Sequence, residues 1–218
     1  MEIRWFGHSF FELKTDTNIK KEVKIYFDPF HNSIGIDPPK NLTADVVLLS
    51  HNHDDHNNLD VFEEKGIVLT TAGEYSIKGV DVKGTLSFHD KVEGKERGAN
   101  IIFSVSSENL KIAHLGDLGH PLDERQIKEL GKVDVLLVPI GSSYSMSLKE
   151  MLKTIKEISP KIIIPMHYKT EGENASIQGI EPFYKEMGIS EGEPLRKLVL
   201  KSSNLEGKEM EVVVLERN

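Results

Sequence analysis

The stretch HNHDDH, residues 51–56, directly follows the apolar run Val46–Ser50, which is typical of a buried strand. Imidazole and carboxylate side chains are good ligands for divalent metals such as zinc. One cation cannot easily take all four donors from so short a segment, because the adjacent Asp55 and His56 point away from the two preceding histidines. The spacing therefore predicts two metal sites side by side rather than an incidental His-rich loop.

The composition is that of one globular domain. The chain of 218 residues and 24.5 kDa is long enough for an ample core, so residues 1–218 are expected to form a single domain. No apolar run reaches the ~18 residues needed to span a bilayer. The first residues also lack the apolar stretch of a signal peptide. We therefore expect a cytoplasmic protein that does not bind membranes.

The charge balance and the missing residue types narrow the chemistry. The chain has no cysteine, which excludes disulfides, thiolate metal sites and a cysteine nucleophile. Any metal must then be held by nitrogen and oxygen. A net charge of −8 disfavours a large nucleic acid as partner. Metal ions would add positive charge inside one cleft, so a small anionic substrate is still expected.

Apolar periodicity predicts a β-rich chain with helices in both halves, and these helices are expected to cover two packed sheets. Ser147, with Glu150 three residues later, is typical of a capping box at a helix start. The predicted helices are Asn58–Lys65, Leu122–Leu130, Ser147–Ile158 and Ile177–Met187. The predicted strands are Glu2–Phe6, Ser9–Lys14, Val23–Phe27, Val46–Ser50, Ile67–Thr71, Leu110–Leu115, Val133–Ile140, Lys161–Met166, Leu195–Leu200 and Met210–Leu215, with β-rich stretches at Tyr75–Phe88 and Ala99–Val105.

Three further metal-binding side chains come where an apolar run stops. These are His89, Asp117 and His167, each directly after a strand-like segment. Strand ends are where a rigid scaffold presents functional groups on loops, whereas a histidine that fills a core more often lies within a strand. Their recurrence at strand ends favours one shared site.

With these residues in place, the chain resembles the metallo-β-lactamase-fold hydrolases, whose HxHxDH signature appears here at residues 51–56. The resemblance covers essentially the whole chain and implies an α+β fold, a four-layer αββα sandwich with the metal site at one edge. The chain is similar to the small UPF-type metal-dependent hydrolases related to ascorbate-6-phosphate lactonase and, more distantly, to tRNase Z. One such scaffold serves many reactions, so the signature does not specify a substrate. The supporting segments are Trp5–Ser9, Tyr26–Phe30, His114–Asp117, Val138–Gly141 and Ile164–Tyr168.

The resemblance also implies a ligand set for two ions. One position stays open between His89 and His114, and we favour His89 because His114 lies three residues before the aspartate, where a strand is expected. His114 would then orient a ligand from behind. The implied ligands are His51, His53 and His89 for the first ion, Asp55, His56 and His167 for the second, and Asp117 as the bridge.

Other polar residues have a functional and an ordinary interpretation. Asp28 could fix the tautomer of a ligand histidine, or it could be a turn residue before Pro29. The resemblance places His8 near the cleft, where it could donate a proton or bind substrate; otherwise it is a surface histidine in a turn. Further candidates are the pocket-lining Ser142, Ser143 and Tyr144, and the anion-contacting Arg97 and Asn100.

From such a site we expect hydrolysis, with Asp55, Asp117 and His8 as catalytic residues. Metal binding lowers the pKa of water to ~7, so a hydroxide held between two ions would attack a phosphodiester, lactone or ester. His8, Tyr144 or Tyr168 could protonate the leaving group. Nitrogen and oxygen ligands suit two zinc or manganese ions, and iron, cobalt and nickel are also compatible.

Two other classes of protein stay open. A di-iron oxidoreductase would use the same site, but the flavodiiron members of the superfamily carry glutamate where this chain has His53, and no flavin domain is attached. A non-catalytic metal-binding scaffold would keep the ligands without turnover. Substrate specificity is expected in the loops 28–40, 93–100 and 142–147, and the sequence makes no prediction of oligomeric state.

Overall fold

Two mixed β-sheets packed face to face form the centre of the computed structural model, which describes residues 1–143 and 145–218. The main apolar core draws fully buried side chains from both sheets, such as Ile25 and Val46 from one and Val105 and Ile163 from the other. This arrangement confirms the predicted α+β sandwich.

The elements have the following bounds. The strands are β1 Glu2–Trp5, β2 Phe11–Thr15, β3 Val23–Phe27, β4 Leu42–Thr43, β5 Val46–Leu48, β6 Phe62–Glu64, β7 Ile67–Leu69, β8 Gly73–Ile77, β9 Val80–Phe88, β10 Ala99–Ser107, β11 Leu110–His114, β12 Val135–Pro139, β13 Ile162–Met166, β14 Leu198–Val199 and β15 Glu211–Val212. The helices are α1 Glu124–Leu130, α2 Leu148–Ile158 and α3 Glu181–Met187, with 3₁₀ turns at Asn32–Ile34, Leu59–Val61 and Ser202–Leu205.

The first sheet has the order β14-β1-β2-β3-β5-β7, and the second has the order β15-β13-β12-β11-β10-β9-β8. β1 and β3 both pair antiparallel with β2, and β5 is parallel to β3. β9 and β11 both pair antiparallel with β10, while β12 and β13 continue parallel to β11. The Ile101 N–H at the start of β10 donates to the Ser50 carbonyl after β5 (2.8 Å), so the two sheets share one functional edge. The carboxyl ends of β1, β3, β5, β9, β11 and β13 therefore all lie along that edge.

Helix α2 confirms the capping box expected from the sequence. The Ser147 hydroxyl accepts from the Glu150 N–H, and the Glu150 carboxylate accepts from the Ser147 N–H. Its buried face adds Met151, Ile155 and Ile158 to the main core.

None of the described helices is long or apolar enough to cross a membrane.

The helix expected over Asn58–Lys65 is wrong. Asn58 caps only a 3₁₀ turn, Leu59–Val61, and the chain then extends into β6, which pairs in parallel with β4. Phe62 packs against a second apolar cluster on the outer face of the first sheet, so tertiary packing decides the local structure. This cluster is built on Phe10, Tyr26, Phe30, Ile34, Ile36 and Val61. The α-helices of the described residues all fall in the second half of the chain, and turns cover this face instead.

A buried carboxylate joins the two sheets at the edge opposite the strand carboxyl ends just described. Asp45 precedes β5, accepts from the Lys24 N–H at 2.9 Å, and pairs with the Lys20 ammonium at 2.6 Å. It also binds the ammonium of Lys78, which lies in the turn between β8 and β9 of the second sheet. Burial raises the pKa of the Asp45 carboxyl, but the hydrogen bonds from Lys20, Lys78 and Lys24 outweigh it and lower this pKa to about 2.

We expect Asp45→Asn to destabilise the protein in a pH-dependent way. Because the folded-state pKa is lower than the ~3.9 of an unfolded aspartate, the unfolded chain binds more protons at acid pH, and this contribution is lost as pH falls from about 4 to 2. The two lysine side chains are 42% and 43% exposed, so solvent screening limits the loss at neutral pH to about 1 kcal/mol. Urea unfolding of both proteins at pH 7, 5 and 3 should show nearly the same stability difference at pH 7 and 5 and a smaller one at pH 3. A difference that stays constant over this range would contradict the ion-pair assignment.

Candidate metal centre

Side chains from six loops meet at the functional edge, and each loop follows one of the strands that share a direction. The strand direction thus brings together residues that lie far apart in the chain. His8 follows β1, Asp28 follows β3, residues 51–56 follow β5, His89 follows β9, Asp117 follows β11 and His167 follows β13.

The imidazoles of His51, His53 and His89 form one group. The ring centroid of His51 lies 4.6 Å from that of His53 and 4.8 Å from that of His89. One nitrogen of each ring lies within 4.8 Å of the others, which is close enough for one ion to be shared. The Ser50 hydroxyl lies 2.9 Å from His51 Nδ1 and leaves Nε2 of that ring available.

Asp55, His56 and His167 form a second group, which also includes His8. Asp55 Oδ2 lies 3.8 Å from His56 Nε2, and the ring centroids of His56 and His167 are 5.6 Å apart. The donors of residues 51–56 thus contribute to both groups. His51 and His56 also lie close to each other, with ring centroids 4.2 Å apart, and form a third possible group with Asp28. Asp55 and His53 are the more exposed members, so the groups open towards solvent there.

The carboxylate of Asp117 lies between the two groups. Its Oδ2 is 3.3 Å from His89 Nε2 in the first group, and 3.4 and 3.1 Å from the Nε2 atoms of His56 and His167 in the second. Asp117 is 1% exposed and therefore has little access to water. This position suits a ligand shared by two ions.

Several potential metal-binding atoms of this centre lack hydrogen-bond partners. Buried polar atoms are almost always hydrogen-bonded, because an unpaired one carries the full cost of desolvation. Among the described residues, six of the ten buried side-chain atoms without a partner belong to this centre. Their clustering fits ions that bind them directly. The six are His51 Nε2, His56 Nε2, His89 Nδ1, His167 Nδ1, His167 Nε2 and Asp117 Oδ1.

At Asp117, His51 and His167, but not at His56, the electrostatics favour the protonation states that bind cations. Burial raises the pKa of the Asp117 carboxyl, but the imidazoles of His167 and His56 outweigh burial and hold this pKa well below its usual range. Burial lowers the pKa of His51 and of His167, which keeps these rings neutral. Burial also lowers the pKa of His56, but Asp117 and Asp28 raise it well above its ordinary value. A proton therefore competes with a metal ion for His56.

Asp28 occupies the orienting position considered for it in the sequence. Its Oδ2 lies 2.9 Å from His56 Nδ1 and accepts from the Ser50 hydroxyl at 2.5 Å, while Oδ1 accepts from the Ser50 N–H at 2.7 Å. A carboxylate on the far nitrogen fixes the tautomer and ring orientation of a ligand histidine. His56 is thereby oriented with Nε2 towards Asp117.

Three residues of the centre have left-handed backbone, a conformation that non-glycine residues rarely adopt. The φ angles are 51° at His8, 43° at Asp28 and 50° at His167. Each costs on the order of 1 kcal/mol and persists only where the surroundings over-determine it. Asp28 and His167 directly follow β3 and β13, and His8 lies three residues after β1, so this backbone conformation occurs where the chain leaves a strand and enters the centre.

His114 does not join either ligand group. It is buried, with Nε2 3.0 Å from the Ser9 carbonyl, and its Nδ1 accepts from the Gly116 N–H at 3.0 Å. Its ring stacks on Phe27 with centroids 5.1 Å apart. Both ring nitrogens are therefore occupied, and the geometry favours His89 for the first group. His114 lies 3.9 Å from Asp28, behind the ligands.

His8 lies inside the centre and has a partner that sequence reasoning missed. Its Nε2 is 3.2 Å from Asp55 Oδ2, and its Nδ1 is 2.6 Å from Glu173 Oε1. Glu173 lies 165 positions away in a polar loop, so no local pattern marks it. Burial lowers the pKa of His8, but the hydrogen bonds to Asp55 and Glu173 outweigh burial and raise it.

Asn100 holds the loop that carries Asp117 and does not face a substrate. Its Oδ1 accepts from the Asp117 N–H at 3.0 Å, and its Nδ2 donates to the Leu115 carbonyl at 3.0 Å and to Ser87 Oγ at 2.7 Å. A Cβ at Gly116, whose φ is 56°, would lie 2.2 Å from Asn100 Oδ1. Only glycine fits this close approach, so the role in anion binding considered for Asn100 is replaced by a structural one.

The remaining candidates are less closely tied to the centre. Arg97 is exposed on the loop after His89, and Ser142 is half-buried while Ser143 is exposed. Tyr168 is 6% exposed, and its ring packs on Trp5 with centroids 5.1 Å apart. Tyr144 lies outside the described residues.

Comparisons with known proteins agree with this architecture. Residues 2–167 match the model of the β-lactamase superfamily domain. A UPF0173 metal-dependent hydrolase of Methanopyrus kandleri is 30% identical over an alignment of 200 residues, and the match covers 78% of this chain and 85% of that protein.

Solved structures give the same result. A protein of Thermotoga maritima, assigned as a zinc-dependent hydrolase of the metallo-β-lactamase superfamily, superposes with a TM-score of 0.77 at 36% identity, covering 99% of this chain and 98% of the other. The metallo hydrolase Igni18 of Ignicoccus hospitalis shares the fold, with a TM-score of 0.67 at 21% identity over 100% of this chain and 95% of that one. The chain thus belongs to the β-lactamase superfamily, within the UPF0173 family of metal-dependent hydrolases.

Proposed function

We propose that this protein is a dinuclear hydrolase that binds two zinc or manganese ions and cleaves a phosphodiester, lactone or ester in a small anionic substrate. The observation that carries the proposal is the position of Asp117 Oδ2, within 3.4 Å of nitrogens from both ligand groups. The relatives of this protein are named metal-dependent hydrolases, which supports hydrolysis as the reaction class. The cytoplasmic location stays a prediction from the sequence.

The proposed ions would be held by the two groups that the fold assembles. When bound, divalent ions polarise the substrate oxygen and lower the pKa of water towards neutrality. The chain provides the geometry for this: Asp28 orients His56, Ser50 contacts His51, and Asn100 fixes the loop of Asp117. The proposed first ion is held by His51, His53 and His89, the second by Asp55, His56 and His167, and Asp117 bridges them.

The burial of the site supports an electrostatic role for its residues. Asp117, His56 and His167 are at most 1% exposed, so charges interact there more strongly than in water.

Of the candidate proton donors, Tyr168 packs against Trp5 and Tyr144 lies outside the described residues. His8 lies within the ligand cluster, in contact with Asp55.

The charge of the chain bears on substrate size. A net charge of −8 repels long polyanions, whereas two bound cations make the cleft itself attractive to one small anion. We therefore propose nucleotide-like phosphodiesters and sugar-phosphate lactones as the substrate classes. The flavodiiron oxidoreductases of this superfamily carry glutamate where this chain has His53, which disfavours that alternative.

We expect His89→Ala to bind one ion fewer than the wild-type protein, because it removes a donor from the first group. His114→Gln is the matched control, since both nitrogens of His114 bond to the protein, and it should keep two ions at some cost in stability. Metal per chain, measured by mass spectrometry after dialysis against zinc or manganese, checks both variants. The opposite pattern would give the ligand role to His114.

We expect Asp117→Ala to lose at least about 10³-fold in turnover, since it removes the ligand shared by both groups. Asp54→Ala is the matched control, because Asp54 is an exposed aspartate of the same HNHDDH stretch outside the ligand groups. Hydrolysis of bis(p-nitrophenyl) phosphate by zinc- or manganese-loaded protein measures the effect. If only lactones are cleaved, the substrate class narrows to them. Near-native turnover in Asp117→Ala, or a metal-loaded wild-type protein inert on all three bond types, would contradict the proposed function.

A further inference from the structure

We propose that His8 is a further protein ligand of the second ion, and that the buried carboxylate of Glu173 orients it for this role. The inference rests on the proposed two-ion site. It adds a ligand that belongs neither to the HxHxDH signature nor to the later candidates His89, Asp117 and His167. It also gives a function to Glu173, whose side chain is fully buried in a loop that carries no recognisable motif.

The distances around His8 are those of neighbouring ligands on one ion. Potential ligand atoms of His8, Asp55, His56 and His167 all lie within 4.8 Å of one another. His8 Nε2 is 3.2 Å from Asp55 Oδ2, and the His8 ring centroid is 4.1 Å from that of His167. Neighbouring donor atoms on a five-coordinate ion with bonds of ~2.0–2.1 Å are about 2.9–3.5 Å apart.

Glu173 determines which nitrogen of His8 carries a proton. Its Oε2 accepts from the N–H and the hydroxyl of Thr170, at 3.0 and 3.2 Å, so the carboxylate acts as an acceptor. Its Oε1, 2.6 Å from His8 Nδ1, must then accept from an Nδ1–H. In the neutral ring the Nε2 lone pair faces Asp55 Oδ2, and two acceptors 3.2 Å apart repel each other unless Nε2 takes up a second proton or a metal cation lies beside them. We assign the cation, because Nε2 also faces the donor atoms of His56 and His167.

The same arrangement occurs at another ligand of the second group. Asp28 lies 2.9 Å from His56 Nδ1 and orients its Nε2 towards Asp117, as Glu173 orients His8 towards Asp55. Carboxylate–histidine–metal chains of this kind fix ring orientation and raise ligand basicity.

The unfavourable free energy of burying the Glu173 charge beside His8 also indicates that this contact serves metal binding. A buried carboxylate is unfavourable unless its charge is compensated. Among the described residues, the hydrogen bonds to the Glu173 carboxylate come from His8 and Thr170 alone, and no lysine or arginine pairs with it. His8 is itself fully buried and has the strained φ of 51°. An ion bound at His8 Nε2 compensates the Glu173 charge through the imidazole.

The consequence is an asymmetric pair of sites. The second ion has Asp55, His56, His167 and His8 besides the shared Asp117, whereas the first has three histidines and the same aspartate. The second ion therefore has one protein ligand more than the first and is expected to bind more tightly, and the first ion, next to the half-exposed His53, is the more accessible to substrate. With Nε2 on the ion, His8 has no proton to give to a leaving group.

Cobalt titration of the full-length protein tests the ligand directly. A histidine bound to paramagnetic Co²⁺ shows its remaining ring N–H as a solvent-exchangeable, hyperfine-shifted proton resonance. We expect His8→Gln to lose one such resonance and to bind the second Co²⁺ about 10–100-fold more weakly, with the first site unchanged. Glu173→Gln should shift that same resonance and weaken the second site about tenfold.

Two matched controls accompany these variants. Glu171→Gln changes an exposed glutamate of the same loop, and His31→Gln changes a half-buried histidine outside the ligand groups; neither should alter resonances or affinity. Circular dichroism of the metal-free variants confirms folding. If His8→Gln does not fold, Glu173→Gln decides the proposal.

The outcomes separate this proposal from the two-ion function. A full set of shifted resonances in His8→Gln, with or without weaker binding, overturns the proposal, because His8 would then only donate a hydrogen bond to Asp55. An unchanged resonance in Glu173→Gln overturns it as well. A wild-type protein that takes up fewer than two ions removes both the proposal and the two-ion function, whereas two ions without any hydrolysis contradict only the enzymatic function.

Discussion

The shared direction of six strands is the constraint on which the metal centre depends. In both sheets the strands that precede a functional loop, β1, β3 and β5 in one and β9, β11 and β13 in the other, end at the same edge. Antiparallel partners such as β2 and β10 return the chain and contribute none of the six loops. A reversal of any of these six strands would carry its ligand to the opposite edge of the sandwich.

The functional edge contains features that lower the stability of the metal-free fold. Unpaired donor atoms, a buried Asp117 and left-handed backbone at His8, Asp28 and His167 are all unfavourable without a cation. The stabilising interactions lie elsewhere, in the core between the sheets and in the Asp45 ion pairs at the other end. Bound metal would offset the cost, so metal binding and folding should be thermodynamically coupled.

Hydrogen bonds from residues outside the two metal-binding groups hold the side chains and loops of the centre in place. Asp28 holds His56, Asn100 holds the Asp117 loop, and Glu173 holds His8. These contacts hold the candidate ligands in place from outside the metal-binding groups. Their loss is expected to change metal affinity before it changes the fold.

The sequence by itself determined the α+β class, the position of most strands and the candidate metal ligands of the HNHDDH stretch, because periodicity and side-chain type are local properties. Only the tertiary structure turned residues 58–65 from helix into turn and strand, since Phe62 packs on the first sheet. It also left His114 behind the ligands and paired His8 with Glu173, 165 residues away. Such contacts depend on which strand ends meet in space, and no pattern along one stretch of chain encodes that.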